Sequence, residues 1–129
     1  MISYECVSFI LNKKDKILLE RRADNKKTEP GRVTIPGGHI EKGETQVQAL
    51  TREVEEELGI QATDFTYLCT LENQAEELQI VHYYSINSWK GMISCFEADA
   101  LLWSPITDQR FPERTSDKLA LKQLMLMRA

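Results

Sequence analysis

An α/β fold, a mixed β-sheet sandwiched between helices (α/β/α), is the architecture this sequence predicts, and three observations carry that reading. Short β-rich apolar stretches recur along the chain at 2–11, 17–19, 33–35, 64–71, 78–89 and 100–103. One amphipathic helical pattern over 45–58 interrupts them, and a second, from Ser116 to Met127, closes the chain. Strands interrupted by one helix and closed by another bury their apolar faces best as a sheet between helices.

Each element has its own local cause. Residues 2–11 are mostly apolar, Asn12-Lys13-Lys14-Asp15 is a polar turn, and Ile17-Leu18-Leu19 returns, which together predict a hairpin. Residues 23–32 have loop composition, and Val33-Thr34-Ile35 is a short strand stopped by a Pro36-Gly37-Gly38 turn. Thr45 and Gln48 have the spacing of a capping box, and Gly59 supplies a C-terminal stop to the helix between them. Val81, Tyr83 and Ile86 mark the strand 78–89, and a loop over 91–98 precedes the short strand Ala100 to Trp103. The last helix offers Leu119, Leu121, Leu124 and Met125 as its apolar side. There is no repeat, linker or low-complexity segment.

A chain of 129 residues suits one domain, 1–129, with a core that needs neither disulfides nor a structural metal. The net charge of −4 argues against a nucleic acid polymer as partner, which calls for a basic face. It leaves room for a small anionic ligand, because a bound metal reverses the local sign. Cys6, Cys69 and Cys95 are odd in number and far apart, without a Cys-x-x-Cys pair, as expected of reduced thiols in a cytoplasmic protein. No signal-peptide pattern and no apolar run near about 18 residues point to a membrane. A monomer or a homodimer would both fit.

Chemistry concentrates in the helix 45–58. At 100° per residue, Val47, Leu50, Val54 and Leu58 fall within about 80°, a narrow buried stripe. Glu53, Glu56 and Glu57 take an adjacent arc of about 100°, while Glu55 points away to solvent. Converging carboxylates repel, so such a segment calls for a cation. An oxygen-only site suits Mg2+, with Mn2+ as the other fit, rather than zinc. Arg52, one turn before Glu56, can pair with it and limit the repulsion.

The spacing from Gly38 onward is also a complete motif: five residues, Glu44, seven residues, Arg52-Glu53, Val54, any residue, Glu56-Glu57, any residue, Gly59, Ile60. It resembles the Nudix box. Ile17-Leu18-Leu19-Glu20-Arg21-Arg22 and Ile35-Pro36-Gly37-Gly38 before it, and Ser88-Trp89-Lys90-Gly91, Glu97 and Trp103-Ser104 after it, are similar to the MutT-like branch. The resemblance implies a metal held by Glu56 and Glu57 with a backbone carbonyl from Gly37-Gly38, and Glu53 as a further ligand or general base. Glu44 then supports the site, and Arg52, Glu53 and Glu44 are the residues expected to serve catalysis. Arg22 matches an arginine that touches substrate phosphate, although Arg21 and Arg22 alternate and one is plain surface; Lys26 and Lys27 either steer an anion or, the commoner case, are solvated loop lysines. Glu97 either supplies an oxygen ligand from a second direction or is an ordinary loop acid like Asp99.

Oxidised-purine enzymes of this branch carry an asparagine near the last helix. Here the stretch reads Arg110-Phe111-Pro112-Glu113-Arg114-Thr115, leaving Glu113, Arg114 or Thr115 to read a base. His39 and His82 read as structural or exposed. One of Tyr83, Tyr84 and Trp89 could stack a base, the others being core. The function implied is Mg-dependent hydrolysis of a nucleoside triphosphate to nucleoside monophosphate and pyrophosphate. The alternatives are a Nudix pyrophosphatase acting on ADP-ribose, a nucleotide sugar or a dinucleoside polyphosphate, and an inactive nucleotide-binding module.

Overall fold

The computed structural model describes residues 2–128. The strands are β1 (Ser3–Lys13), β2 (Lys16–Arg21), β3 (Val33–Thr34), β4 (Gly37–His39), β5 (Gln61–Gln74), β6 (Leu78–Lys90) and β7 (Ala100–Pro105). Helix α1 (Gln46–Leu58) lies between β4 and β5, and α2 (Thr115–Arg128) ends the chain. One edge of β1 pairs parallel with β6, from Ser3↔Leu78 to Leu11↔Ile86, and β5 pairs antiparallel beyond it. The other edge is divided: β4 takes Cys6 to Ser8, whereas β2 takes only Asn12 and Lys13. The expected hairpin is therefore confined to its turn, and β2 leaves to pair with β7 and β3.

Side-chain alternation along these strands builds a core on each face of the sheet. Val7, Phe9, Leu11, Leu18, Tyr84 and Ile86 pack against Leu50, Val54 and Leu58 of α1. Ile10, Ile17, Leu19, Val81 and Tyr83 pack against Ala120, Leu121 and Leu124 of α2. Burial on both faces explains why β1 reads as a continuous apolar run rather than an alternating one. The predicted mixed sheet between helices is the observed fold.

Three local expectations are corrected. Gly37 and Gly38 form a strand rather than a turn, because β4 lies so close to β1 that a Cβ on Gly37 would sit 2.3 Å from the Val7 carbonyl oxygen. In α1 the Thr45–Gln48 capping box forms as expected, but Val47 is exposed and Ala49 buried. The helix is rolled toward β4, so that Glu53 and Glu57 lie within its buried face rather than beside it. In α2, Leu119 and Met125 are exposed while Ser116 and Asp117 are buried. Hydrogen bonds set that roll: the Tyr83 hydroxyl reaches Asp117 at 2.6 Å and Ser116 at 2.9 Å, and the Ile35 amide donates to Asp117. Satisfying a buried carboxylate outweighs burying a methionine.

Candidate active site

A cleft of about 530 Å³ opens between α1, the β1–β4 pair and the loop after β2. Its acidic wall comes from α1 and the loop before β7, where carboxylate oxygens of Glu53, Glu57 and Glu97 lie within 4.8 Å of one another. Gly38 makes the packing possible, since a Cβ there would lie 2.4 Å from the Glu53 carboxyl carbon. Glu57 is buried, and its Oε2 has no hydrogen-bond partner among the described residues. Burial raises its carboxyl well above the usual range, and the nearby Glu20 and Glu53 carboxylates add to the rise. Burial raises Glu53 too, with the Arg52 guanidinium acting against it. An orphaned oxygen in an all-oxygen cluster of like charges fits a hard divalent cation such as magnesium.

Arg52 is the hub that orders the acids on the α1 side. It binds Glu44 through two nitrogens at 2.7 and 2.9 Å, Glu53 at 2.8 Å and Glu56 at 3.1 Å, and it donates to the His39 carbonyl. The Glu44 carboxyl, receiving this fork and the Glu41 amide, is held down at about 2. The expected Arg52–Glu56 pair is present, but the fork geometry goes to Glu44. Glu56 is exposed on the rim and turned to Arg52, so the close triplet contains Glu97 in its place. Glu55 faces solvent. Gly37 and Gly38 line the cleft with their backbone.

The opposite sign comes from the loop after β2. Arg22 lines the cleft with its Nε bound to the Thr28 carbonyl at 2.9 Å, an NH2 bond to Thr28 Oγ1, and Glu20 at 3.7 Å. Arg21 is exposed and donates to the Gly31 carbonyl. Lys26 reaches Glu97 at 3.9 Å, and Lys27 also borders the cleft. Arg114 lines the cleft as well, buried and paired with Glu29 and Asp117. Thr115 is exposed at the start of α2 and does not line it. Tyr83 and Tyr84 lie in the two cores and Trp89 packs against the α1-side core, so none of the three lines the cleft.

Sequence reasoning missed Glu20, Cys6, Glu77 and Gln79. Glu20 is buried on β2 and raised to about 7, by burial first and with Glu97 adding to it. An acid inside a strand that otherwise reads as buried was the available signal. The others carry no local signal, because only the β1–β6 pairing and the β5–β6 connection bring them to the cleft.

This fold and this glutamate cleft define a Nudix enzyme. Residues 5–115 match the NUDIX domain family, and the chain belongs to it; it is a Nudix hydrolase. It is 33% identical over 127 residues to the CTP pyrophosphohydrolase of Escherichia coli (strain K12), covering 97% of this chain and 93% of that protein. It is 34% identical over 86 residues to the 8-oxo-dGTP diphosphatase of the same organism, covering 66% of each chain. The crystal structure of a MutT NUDIX hydrolase from Burkholderia pseudomallei superimposes with a TM-score of 0.86 at 25% identity, covering 96% of this chain and 99% of that one. Among the described residues no helix is long and apolar enough to cross a membrane.

Proposed function

We propose that this hydrolase cleaves a nucleoside triphosphate to nucleoside monophosphate and pyrophosphate with magnesium. One observation carries the reading: a single cleft sets Glu53, Glu57 and Glu97 against Arg22 and Lys26, a cation site facing an anion site. The relatives named for CTP and 8-oxo-dGTP support a triphosphate over other diphosphate-linked compounds. Glu53, Glu57 and Glu97 would hold the metal, with the Gly37–Gly38 backbone as a further source of oxygen. When bound, it neutralises charge on the phosphates and lowers the pKa of a water.

The chain's own residues do the remaining work. Arg22, braced by Thr28, grips a phosphate oxygen. Glu53, held by Arg52, is positioned to accept the proton of the attacking water, and Glu44 fixes Arg52 in turn. Arg114 contributes from the far side of the cleft and Glu56 from its rim.

The test is nucleoside monophosphate release from a panel of ribo- and deoxyribonucleoside triphosphates, ADP-ribose, nucleotide sugars and dinucleoside polyphosphates, with magnesium and with EDTA, and pyrophosphate release from the triphosphates. Magnesium-dependent release from a triphosphate is expected. Turnover in excess EDTA would overturn the metal's part, and cleavage of ADP-ribose alone would replace the substrate class.

A further inference from the structure

A second polar network borders the cleft through Glu77, Gln79 and Arg114, and its hydrogen bonds have a fixed direction. Glu29 and Glu77 stand at its two ends. Burial pushes both carboxyls up, but Arg114 and Asn73 at Glu29, and His39 and Gln79 at Glu77, hold them below the ordinary range. Ionised carboxylates only accept. Asn73 must therefore turn its amide nitrogen to Glu29 (3.1 Å), and it gives its other proton to Gln79 Oε1 (3.0 Å). Gln79 must in turn point Nε2 at Glu77 Oε2 (3.1 Å), where the His39 ring also donates.

Counting what remains gives a pattern. Glu77 has Oε1 left as an acceptor, and Gln79 has one N–H left as a donor. Arg114 spends Nε on Glu29, and its NH1 lies 3.7 Å from Asp117, so NH2 remains as a donor. All three residues line the cleft, and along the network they run acceptor, donor, donor. We infer that Glu77, Gln79 and Arg114 read the edge of a nucleobase and select cytosine. This rests on the nucleotide reading above and names the base.

Cytosine presents an amino donor, a ring acceptor and a carbonyl acceptor in that order, the complement of the three. Uracil and thymine put a carbonyl against the Glu77 carboxylate and a donor against Gln79. Guanine mismatches in either direction, and adenine leaves Arg114 without a partner. A site built to hydrogen-bond one edge rejects another because its own buried groups are left unpaired. Gln79 lies on β6 and Asn73 on β5, and the Ala75 amide closes the connection onto the Glu77 carbonyl, so Glu77 and Gln79 sit on the β5–β6 hairpin, while Arg114, just before α2, is held by Glu29.

The experiment compares kcat/KM for CTP, UTP, ATP and GTP in the unmodified enzyme, in Glu77→Gln and in Glu72→Gln, an exposed acid on the same hairpin. CTP should exceed UTP by about tenfold or more in the unmodified enzyme. Glu77→Gln should lower that ratio by about tenfold, chiefly through KM for CTP, while Glu72→Gln leaves it as it was. Calorimetry with the α,β-methylene analogues of CTP and UTP, which resist cleavage, reads the base without turnover. If no nucleotide is cleaved but the CTP analogue binds preferentially, the hydrolase reading fails and the base reading stands. A ratio near one in the unmodified enzyme, an unchanged ratio in Glu77→Gln, or equal losses for every base would overturn it. The unmodified enzyme's ratio decides the matter even if the variant does not fold.

Discussion

Glu57 shows how a single side chain can be costly to the fold and necessary to the chemistry. It is buried beside Glu20 and Glu53, and one oxygen lacks a partner, so its charge opposes folding until a cation arrives. Glu57→Gln keeps the shape and removes the charge. In EDTA above neutral pH the variant is expected to melt higher than the parent protein. The stabilisation that magnesium gives the parent should largely vanish, and kcat should fall by about a hundredfold or more. Thermal melts with EDTA and with magnesium, run beside pyrophosphate release, check both signs. A lower melting point in EDTA would mean that the Glu57 carboxylate is satisfied in the folded protein.

Helix α1 is positioned by what β4 lacks. Both residues of the Gly37–Gly38 pair are pressed against neighbours, Gly37 against β1 and Gly38 against the Glu53 carboxyl. Gly38→Ala would displace the Glu53 carboxyl, the far end of a flexible side chain, at a cost of about 1 kcal/mol. Because the displaced group is Glu53, kcat should fall as well. Urea unfolding and steady-state kinetics on the same sample test this, and a variant with parental stability and kcat would show that the contact yields freely. The glycines were visible in the sequence as a turn signal, but their use was not, since a glycine run reads the same whether the chain turns or another strand comes close. The roll of α2 is a similar case. Hydropathy favours Leu119 and Met125, whereas Tyr83, some thirty residues earlier, holds Asp117 inward.

At the scale of the whole molecule, the buried acids set how stability depends on pH. Glu20 is raised to about 7, and Glu53 and Glu57 are raised as well, so the folded state binds more protons than the unfolded chain above its ordinary carboxylate range. For groups raised on folding, the slope of unfolding free energy with pH is negative. Without metal, stability should be greatest near pH 5 and fall as pH rises through about 7. Glu44, held down near 2 by Arg52, acts in the other direction only in strong acid and leaves that window alone. Melting temperature from pH 5 to 8 in EDTA measures the slope, and saturating magnesium should flatten or reverse it. A metal-free protein that gains stability across that range would contradict the buried-acid account.

The fold class and the clustering of glutamates on one helix were legible because both are local. Short β-rich apolar stretches, a capping box at Thr45 and Gln48, and box glutamates on one helix depend only on residues close in sequence. Arg52 with Glu44 is local too, Glu44 preceding the N-cap of the helix that carries Arg52, although the pair expected from the sequence was Arg52 with Glu56. Tertiary structure alone decided what meets across the sheet. Parallel pairing of β1 with β6 and the early departure of β2 bring Cys6, Arg22, Glu77, Gln79 and Arg114 to one cleft, from positions as far apart as 6 and 114. Partners that distant leave no periodicity behind, because the free energy that selects them comes from burying polar groups in pairs, and pairing has no sequence interval.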